Sequence, residues 1–311
     1  MTLFLFLLCA VAAILLMGGY YTYRIAFYSP KKGRDKISTF ASHKYDPYRK
    51  EINRLFCQLS DRPYEEVSIV SFDGLTLFGR YYHVKDGAPL DIGFHGYRSS
   101  ALTDFAGGSE LSFSMGHNLL LIDERAHGRS EGRTITFGIQ ERWDADSWVR
   151  YAVERFGADT EIILYGISMG AAAVLMAAGL DLPENVKGII ADCPYSSPGD
   201  IIRKVARDMH MPDRLAWPFV KIGGRVYGGF DVDEMDAARA VKQATVPILI
   251  IHGESDSFVP CEMSDIVSEN PALITRCTFP GADHGFSYLV DTPRYKEIVT
   301  EFAEKALAPK A

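Results

Sequence analysis

From residue 64 onward, short apolar runs alternate with longer stretches in which apolar residues recur at helical spacing. Two β-rich runs, YEEVSIVSF and LTLFGRYYHV, flank Asp73-Gly74, a pair typical of tight hairpin turns. Further strands are predicted at LDIGFHG, NLLLIDER, EIILYG, VKGIIADCP, VPILIIHG and ITRCTF. Helices are predicted near 101–115, at 138–156, at 171–180, near 261–269 and at 295–307. This alternation predicts a mostly parallel central sheet with helices on both faces.

The first 23 residues depart from this alternation. No charged residue occurs between Leu3 and Tyr21, and the first basic side chain is Arg24. About 20 apolar residues in a helix span a hydrocarbon core of about 30 Å. A cleaved signal peptide is the alternative, but a basic leader and an A-x-A-like cleavage site are missing. We therefore expect residues 1–23 to be an uncleaved transmembrane anchor.

Basic residues flank this apolar segment on its carboxyl side only: Arg24, Lys31, Lys32, Arg34 and Lys36. The positive-inside rule then predicts a single-pass protein of the cell membrane whose large C-terminal part is cytoplasmic. Residues 24–63 are predicted to be a linker and one helix, since PYRKEINRLFCQL has helical apolar spacing. Residues 64–311 are predicted to form the main domain.

One segment of that domain, residues 196–245, interrupts the rhythm of strands and helices. It is far longer than a usual crossover connection and contains Met209, Met211, Trp217, Phe219 and two glycine doublets. Insertions at the carboxyl edge of such a sheet often act as lids over a ligand. We expect a lid or cap, with one or two additional packing helices as the alternative.

Composition and charge exclude several classes of function. The net charge is −7 and no basic stripe with interleaved aromatic residues occurs, so nucleic-acid binding is not expected. The chain has no P-loop or other cofactor motif, and its histidines, cysteines and carboxylates show no metal-ligand spacing. Free thiols are expected for the five scattered cysteines, Cys9, Cys57, Cys193, Cys261 and Cys277.

Polar segments follow the predicted strands at the edge where parallel sheets bind their ligands. One of them, GISMG at 166–170, lies between an apolar strand and an alanine-rich helix. In a G-x-S-x-G turn of this kind the serine has a strained backbone and an exposed hydroxyl. The helix that follows also directs its free N–H groups at the same point. The pattern predicts that Ser168 is a nucleophile.

A serine nucleophile requires a base, and the base requires an acid that orients it. Strand-to-helix turns of this type have the chain order serine, acid, histidine. His284 in GADHGF lies beyond every predicted strand, and Asp256 in HGESDSFVP precedes it. We therefore predict His284 as the base and Asp256 as the acid, with Asp192 as the alternative acid. The other histidines that precede glycine are predicted to be structural: His95, His127 and His252.

The oxyanion that forms during acyl transfer needs two backbone N–H donors. The residue after the nucleophile, Met169, is predicted to supply one of them. The loop after an early strand usually supplies the other, and FHGY offers Tyr97 at that position.

Taken together, these segments resemble the α/β-hydrolase superfamily, in particular its membrane-anchored bacterial serine hydrolases and serine-aminopeptidase-like members. The resemblance covers residues 64–308 and includes DERAHGRS, which is similar to D-x-R-G-H-G-x-S with Ala126 where glycine is commoner. It implies an α/β-hydrolase fold and hydrolysis of an ester, amide or thioester through an acyl-enzyme. The segment Asp123–Gly128 matches a structural loop of the family.

The resemblance leaves the substrate open, because this fold hosts many reactions. A carboxylesterase or lipase-like enzyme acting on an apolar acyl ester is the first expectation, with a thioesterase or a peptidase as alternatives. A peptidase would need acidic residues for a free amine, and the insertion offers Asp231, Asp233, Glu234 and Asp236. A binding protein without catalysis is the least favoured reading. Oligomeric state is not predicted.

Overall fold

Eight strands form one sheet in the computed structural model, which describes residues 1–30 and 43–309. The sheet order is β1-β2-β4-β3-β5-β6-β7-β8, with antiparallel pairing of β1 with β2 and of β2 with β4 and parallel pairing elsewhere. The mostly parallel sheet is therefore confirmed. The strands are β1 Glu65–Val70, β2 Thr76–Tyr82, β3 Leu90–Phe94, β4 Asn118–Ile122, β5 Ile162–Ile167, β6 Val186–Asp192, β7 Ile248–Gly253 and β8 Ile274–Phe279.

Helices cover both faces of the sheet, as predicted. They are α1 Thr2–Thr22, α2 Arg49–Ser60, α3 Ala101–Asp104, α4 Ala106–Ser114, α5 Glu141–Phe156, α6 Met169–Ala177, α7 Pro198–Asp208, α8 Asp213–Ile222, α9 Ala237–Ala240, α10 Ser287–Val290 and α11 Thr292–Leu307. Residues of α5, α6, α7 and α9 form the core on one face. On the other face, α2, α4 and α11 form a second core. Burial on both faces explains why β4 and β7 read as nearly continuous apolar runs.

The prediction of a helix near 261–269 is wrong. This segment forms two 3₁₀ turns, Cys261–Ser264 and Val267–Glu269. The carbonyl of Cys261 accepts hydrogen bonds from the Ser264 hydroxyl (2.9 Å) and the Arg276 guanidinium (2.8 Å). Because these side chains take the carbonyl that an α-helix would use four residues later, the helix does not continue.

The insertion at 196–245 folds as α7, α8, a π-helical turn at Gly223–Gly228, α9 and a 3₁₀ turn. It packs against the carboxyl end of α1, where the absence of side chains on Gly18 and Gly19 admits Phe219 and Ile222. Two hydrogen bonds join the segments: Thr22 Oγ1 donates to the Phe219 carbonyl (2.8 Å) and the Tyr227 hydroxyl donates to the Leu16 carbonyl (3.1 Å).

Most of α1 lies exposed outside this contact. Within the described ranges, Thr2–Phe27 is the helical segment that is long and apolar enough to cross a membrane. At its end Phe27 is buried, and the next residue, Tyr28, forms an isolated β-bridge with Thr134. The carboxyl end of the apolar helix is thus built into the body of the protein.

Candidate active site

The turn between β5 and α6 places Ser168 at the carboxyl edge of the sheet. Ser168 has φ 55° and ψ −111°, a backbone conformation that L-residues rarely adopt. The two glycines of GISMG make this turn possible, because a Cβ on Gly166 would collide with the backbone of Gly170, and one on Gly170 with the Phe94 carbonyl. The predicted strained strand-to-helix turn is therefore present.

Three of the sequence-predicted side chains meet at this turn. Ser168 Oγ lies 3.0 Å from His284 Nε2, and His284 Nδ1 lies 2.7 Å from Asp256 Oδ2. They come from the ends of β5, β7 and β8, which are far apart in the chain. A serine, an imidazole and a carboxylate in this order can pass the serine proton to the imidazole while the carboxylate fixes its tautomer.

Asp256 is held as an ionised acceptor. Its Oδ1 accepts hydrogen bonds from the N–H groups of Phe258 (2.9 Å) and Val259 (2.7 Å). Burial acts to raise the pKa of Asp256, but hydrogen bonds from His252, His284 and the Val259 N–H outweigh it and hold the pKa far below its usual range. The carboxylate is therefore charged throughout the neutral range.

His252 lies closer to this group than its expected structural role implied. Its Nε2 lies 2.9 Å from the Val259 carbonyl, as expected of a loop-bonding histidine, and also 3.2 Å from Asp256 Oδ2. The other two have backbone partners that fit the expectation. His95 Nε2 accepts the Glu124 N–H (3.1 Å), and His127 Nε2 accepts the Arg98 N–H (2.9 Å).

The alternative acid, Asp192, has a different partner. Its Oδ2 accepts a hydrogen bond from the Tyr295 hydroxyl (2.7 Å), and burial raises its pKa to about 6. In the described part of the chain, the carboxylate that contacts the imidazole of His284 is Asp256. The geometry thus favours Asp256 over Asp192 as the orienting acid.

Cys193, Asp256 and His284 each place one possible metal-ligand atom within 4.8 Å of the others. The thiol of Cys193 is buried, which raises its pKa and keeps it protonated, whereas a metal binds the thiolate. His284 and Asp256 are also hydrogen-bonded to each other. The donor chemistry therefore fits a hydrogen-bonded relay better than a metal site.

The predicted oxyanion donors lie on two elements beside the serine. Met169 begins α6, ahead of the first helical hydrogen bond from the Ala172 N–H to the Ser168 carbonyl (3.0 Å). Tyr97 lines the same cavity as Ser168. Its loop is fixed by a hydrogen bond from the Gly96 N–H to Asp104 Oδ2 (2.7 Å). The oxyanion role of both N–H groups stays a prediction.

The segment after α1 also holds the Tyr97 loop. The Tyr97 hydroxyl donates to the Ala26 carbonyl (2.7 Å), and Arg98 Nη2 donates to the carbonyls of Ile25 (2.7 Å) and Tyr28 (3.0 Å). The candidate oxyanion loop is thereby joined to the end of the apolar helix.

A cavity of about 310 Å³ extends from Ser168 along the sheet face that α2, α4 and α11 cover. Its wall is largely apolar and aromatic, and includes Tyr45, Ile52, Leu55, Ile167, Phe258 and Tyr288. No residue of 196–245 lines it. The insertion reaches only the rim, where Lys204 Nζ donates to the Ser257 carbonyl (2.7 Å) and lies over the Phe258 ring. A lid role for the insertion stays a prediction.

Residues 43–60 form one wall of the cavity, a contribution that sequence reasoning missed. Lys44 Nζ pairs with Asp283 Oδ2 (2.5 Å), and Tyr45 stacks on Phe286 with ring centroids 5.0 Å apart. Asp283 Oδ1 in turn accepts the His284 N–H (2.9 Å). The available signal was the apolar helical spacing in PYRKEINRLFCQL, since an amphipathic helix must bury its apolar face against a partner.

Comparison with known proteins agrees with the architecture. Residues 93–216 match a family model described as alpha/beta hydrolase fold. The esterase Pf2001 of Pyrococcus furiosus superposes with a TM-score of 0.62 at 24% identity, over 80% of this chain and 93% of that one.

This chain has the α/β-hydrolase fold.

Other proteins resemble this chain at similar distance. Est1E of Butyrivibrio proteoclasticus, whose structure contains ferulic acid, superposes with a TM-score of 0.59 at 21% identity, over 78% of this chain and all of that one. In sequence, the uncharacterized protein YqkD of Bacillus subtilis is 24% identical over 94% of each chain. The thiohydrolase aneE of Aspergillus aculeatus is 30% identical over 162 residues, about half of each chain.

Proposed function

We propose that this protein is a serine hydrolase that cleaves a carboxylic ester or thioester through an acyl-enzyme on Ser168. The observation that carries the proposal is the hydrogen-bonded series from Ser168 Oγ through His284 to Asp256. The strained turn that presents the serine supports it. The fold shared with solved esterases supports the class of reaction.

In this mechanism His284 Nε2 removes the proton of Ser168 Oγ as the oxygen attacks the carbonyl carbon. The oxyanion receives hydrogen bonds from the N–H groups of Met169 and Tyr97. Collapse of this intermediate expels the alcohol or thiol, which takes the proton from His284. Water then attacks the acyl-enzyme by the same route in reverse, releasing the acid and restoring the serine. Removal of one oxyanion donor typically costs about 10²–10³ in rate.

Ester or thioester cleavage fits the surroundings of Ser168 better than peptide cleavage. The acidic residues considered for a free-amine pocket do not line the cavity. Three of them form ion pairs elsewhere, Asp231 with Arg225, Asp233 with Lys221 and Glu234 with Arg142. Asp236 caps α9 by accepting the Arg239 N–H. The apolar wall supplied by Ile52, Leu55 and Ile167 suits an apolar acyl group.

A thioester is the second candidate substrate. The thiohydrolases aneE and apmlB, from Aspergillus aculeatus and Arthrinium phaeospermum, are 30% and 31% identical to this chain over about half of its length. A paired assay of oxygen esters and thioesters with the same acyl group separates the two candidates, because only the leaving atom differs.

A fluorophosphonate probe and a series of p-nitrophenyl esters of increasing acyl length test the proposal. We expect the probe to label the wild-type protein, and Ser168→Ala to abolish both labelling and ester turnover. Ser147→Ala, on the outer side of α5, is the matched control and should retain both. Wild-type rates or labelling in Ser168→Ala would refute the assignment.

We also propose that α1 anchors the protein in the cell membrane, with the α/β-hydrolase domain on the cytoplasmic side. The length and apolar composition of Thr2–Phe27 support this. The packing of Gly19 and the burial of Phe27 argue against a segment that is cleaved off. Protease treatment of intact spheroplasts should leave the domain undigested. Digestion of the domain would show that it lies on the outer side of the membrane.

A further inference from the structure

The part of the insertion next to α1 exposes apolar side chains. Leu215 is 71% exposed, Val226 58% and Met209 50%. These residues lie in or beside α8 and the π-helical turn that follows it. The opposite side of α8 is packed into the body, where Val220 is buried. Leu215 on the outer side of α8, Met209 before the helix and Val226 after it are therefore apolar side chains without cover from the described residues.

Contacts with α1 fix the level of this surface along the helix. Gly223 lies against the carbonyl of Gly19, and a Cβ at residue 223 would crowd that carbonyl. The Tyr227 ring contacts the ring of Tyr20 edge-on, with centroids 5.4 Å apart. This close contact between Gly19 and Gly223, with a hydrogen bond on either side of it, fixes the end of α1 against the insertion.

The position of this contact along α1 coincides with the end of the apolar span. At about 1.5 Å per residue, the segment from Leu3 to Tyr21 covers most of a hydrocarbon core about 30 Å thick. Tyr20 and Tyr21 then lie at the membrane interface, where tyrosines are enriched. Because α8 and the following turn lie beside this end of α1, they are at the same interface.

Charge at this surface is complementary to lipid headgroups. Arg24, Arg214 and Arg225 are all exposed, one just after α1 and the others next to Leu215 and Val226 in sequence. Arg225 also pairs with Asp231. Arginine beside exposed apolar residues is the combination that binds anionic bilayers, with the apolar side chains buried about 5–10 Å into the headgroup and acyl boundary.

We propose that this surface, which we name the α8 face and define by Met209, Leu215 and Val226 with the three arginines, lies in the headgroup region of an anionic phospholipid bilayer. The bilayer is the one that α1 spans. The domain is then held against the membrane in one orientation by two attachments, and does not hang from a flexible stalk. This placement rests on the proposed membrane anchor α1, and it is independent of the reaction proposed for Ser168.

Site-directed spin labelling of the full-length protein in phosphatidylcholine–phosphatidylglycerol vesicles tests the α8 face. Three single-label proteins are compared: a label on native Cys9 in α1, one on Leu215→Cys, and one on native Cys57 of α2, across the sheet from α8. Both native cysteines are exposed, and each is replaced by serine where it is not the labelled site. A protein lacking both gives the background from the remaining thiols.

We expect oxygen to relax the labels at positions 9 and 215 more strongly than a water-soluble nickel chelate does. The Cys57 label should show the reverse. A label at 215 that behaves like the one at Cys57 would overturn the proposal, whether the Cys9 label is in the bilayer or not. Ester hydrolysis by the labelled proteins, measured in parallel, separates this outcome from a failure of the proposed reaction.

Discussion

Residues 43–60 and the insertion at 196–245 differ in what they contact. The first segment, expected to be a linker and a helix, supplies Tyr45, Ile52 and Leu55 to the wall of the cavity beside Ser168. The insertion, expected to cover that site, packs against α1 and touches the cavity rim through Lys204. Proximity in sequence to the carboxyl edge of the sheet therefore did not decide which segment lines the cavity.

Burial of apolar surface explains the difference. The apolar side of α2 packs against the core that α4 and α11 share, and this packing places α2 next to the cavity. The insertion instead meets the opposite face of the sheet through α7 and α8, and α1 takes up the next part of its apolar surface. Each segment lies where its apolar side finds a partner.

Asp256→Asn has the largest expected effect and tests whether the chemistry occurs at the Ser168 end of the cavity. Loss of the orienting carboxylate favours the wrong tautomer of His284 and should lower kcat by about 10⁴-fold. Asp192→Asn is the matched control, because that carboxylate lines the cavity without contacting His284. Steady-state kinetics on one ester measure both, and equal losses would contradict the assigned roles.

A leucine in each segment gives the second test. Leu55 is 2% exposed and lines the cavity, whereas Leu215 is 71% exposed on the α8 face. Leu55→Ala should lower the free energy of unfolding by about 2–5 kcal/mol and shift ester preference toward longer acyl chains, because it leaves a void in the wall. In detergent, the free energy of unfolding of Leu215→Ala should stay within about 0.5 kcal/mol of the wild-type value.

Chemical denaturation and an ester chain-length series measure these two leucine variants. If the folded Leu55→Ala variant kept the wild-type preference for acyl-chain length, α2 would not contribute to substrate binding.

Two lysines give the smallest and most direct comparison. Lys44 reaches the His284 loop from the first segment by pairing with Asp283, and Lys204 reaches the same rim from the insertion by donating to the Ser257 carbonyl. Each is replaced by methionine. Because Lys44 is 57% exposed, we expect its loss to lower stability by less than about 1 kcal/mol. Activity should fall a few-fold for Lys44→Met and less for Lys204→Met.

The pH dependence of Lys44→Met has a defined sign. Burial acts to raise the pKa of Asp283, but hydrogen bonds from Lys44, Ser257 and the His284 N–H outweigh it and lower the pKa to about 2. A lowered carboxyl pKa stabilises the fold above the ordinary value of 3.8, and this stabilisation is lost as the pH falls through about 2. The difference in free energy of unfolding between wild type and Lys44→Met should therefore become smaller as the pH is lowered. A difference that grows as the pH falls would show that the Lys44–Asp283 ion pair does not cause it.

Local patterns were sufficient to predict the strands and the turn that carries Ser168. The glycines on either side of Ser168 have an immediate steric reason, and the chain order of Asp256 and His284 follows from the order of the strands that carry them. The prediction of a helix near residue 261 failed because Arg276, which is distant in the chain, donates a hydrogen bond to the Cys261 carbonyl. The cavity wall depended on where α2 packs, and a local apolar pattern shows that a helix has a buried side without showing what covers it.

The hydrogen bonds from Tyr97 and Arg98 to the carbonyls of Ile25, Ala26 and Tyr28 have a practical consequence for work with the purified protein. They join the apolar helix to the loop beside Ser168, and we expect a change in the tilt of α1 to reach that loop. We therefore expect the detergent or lipid used for extraction to alter turnover as well as yield. Preparations in micelles of different thickness should be compared by kcat for each folded molecule.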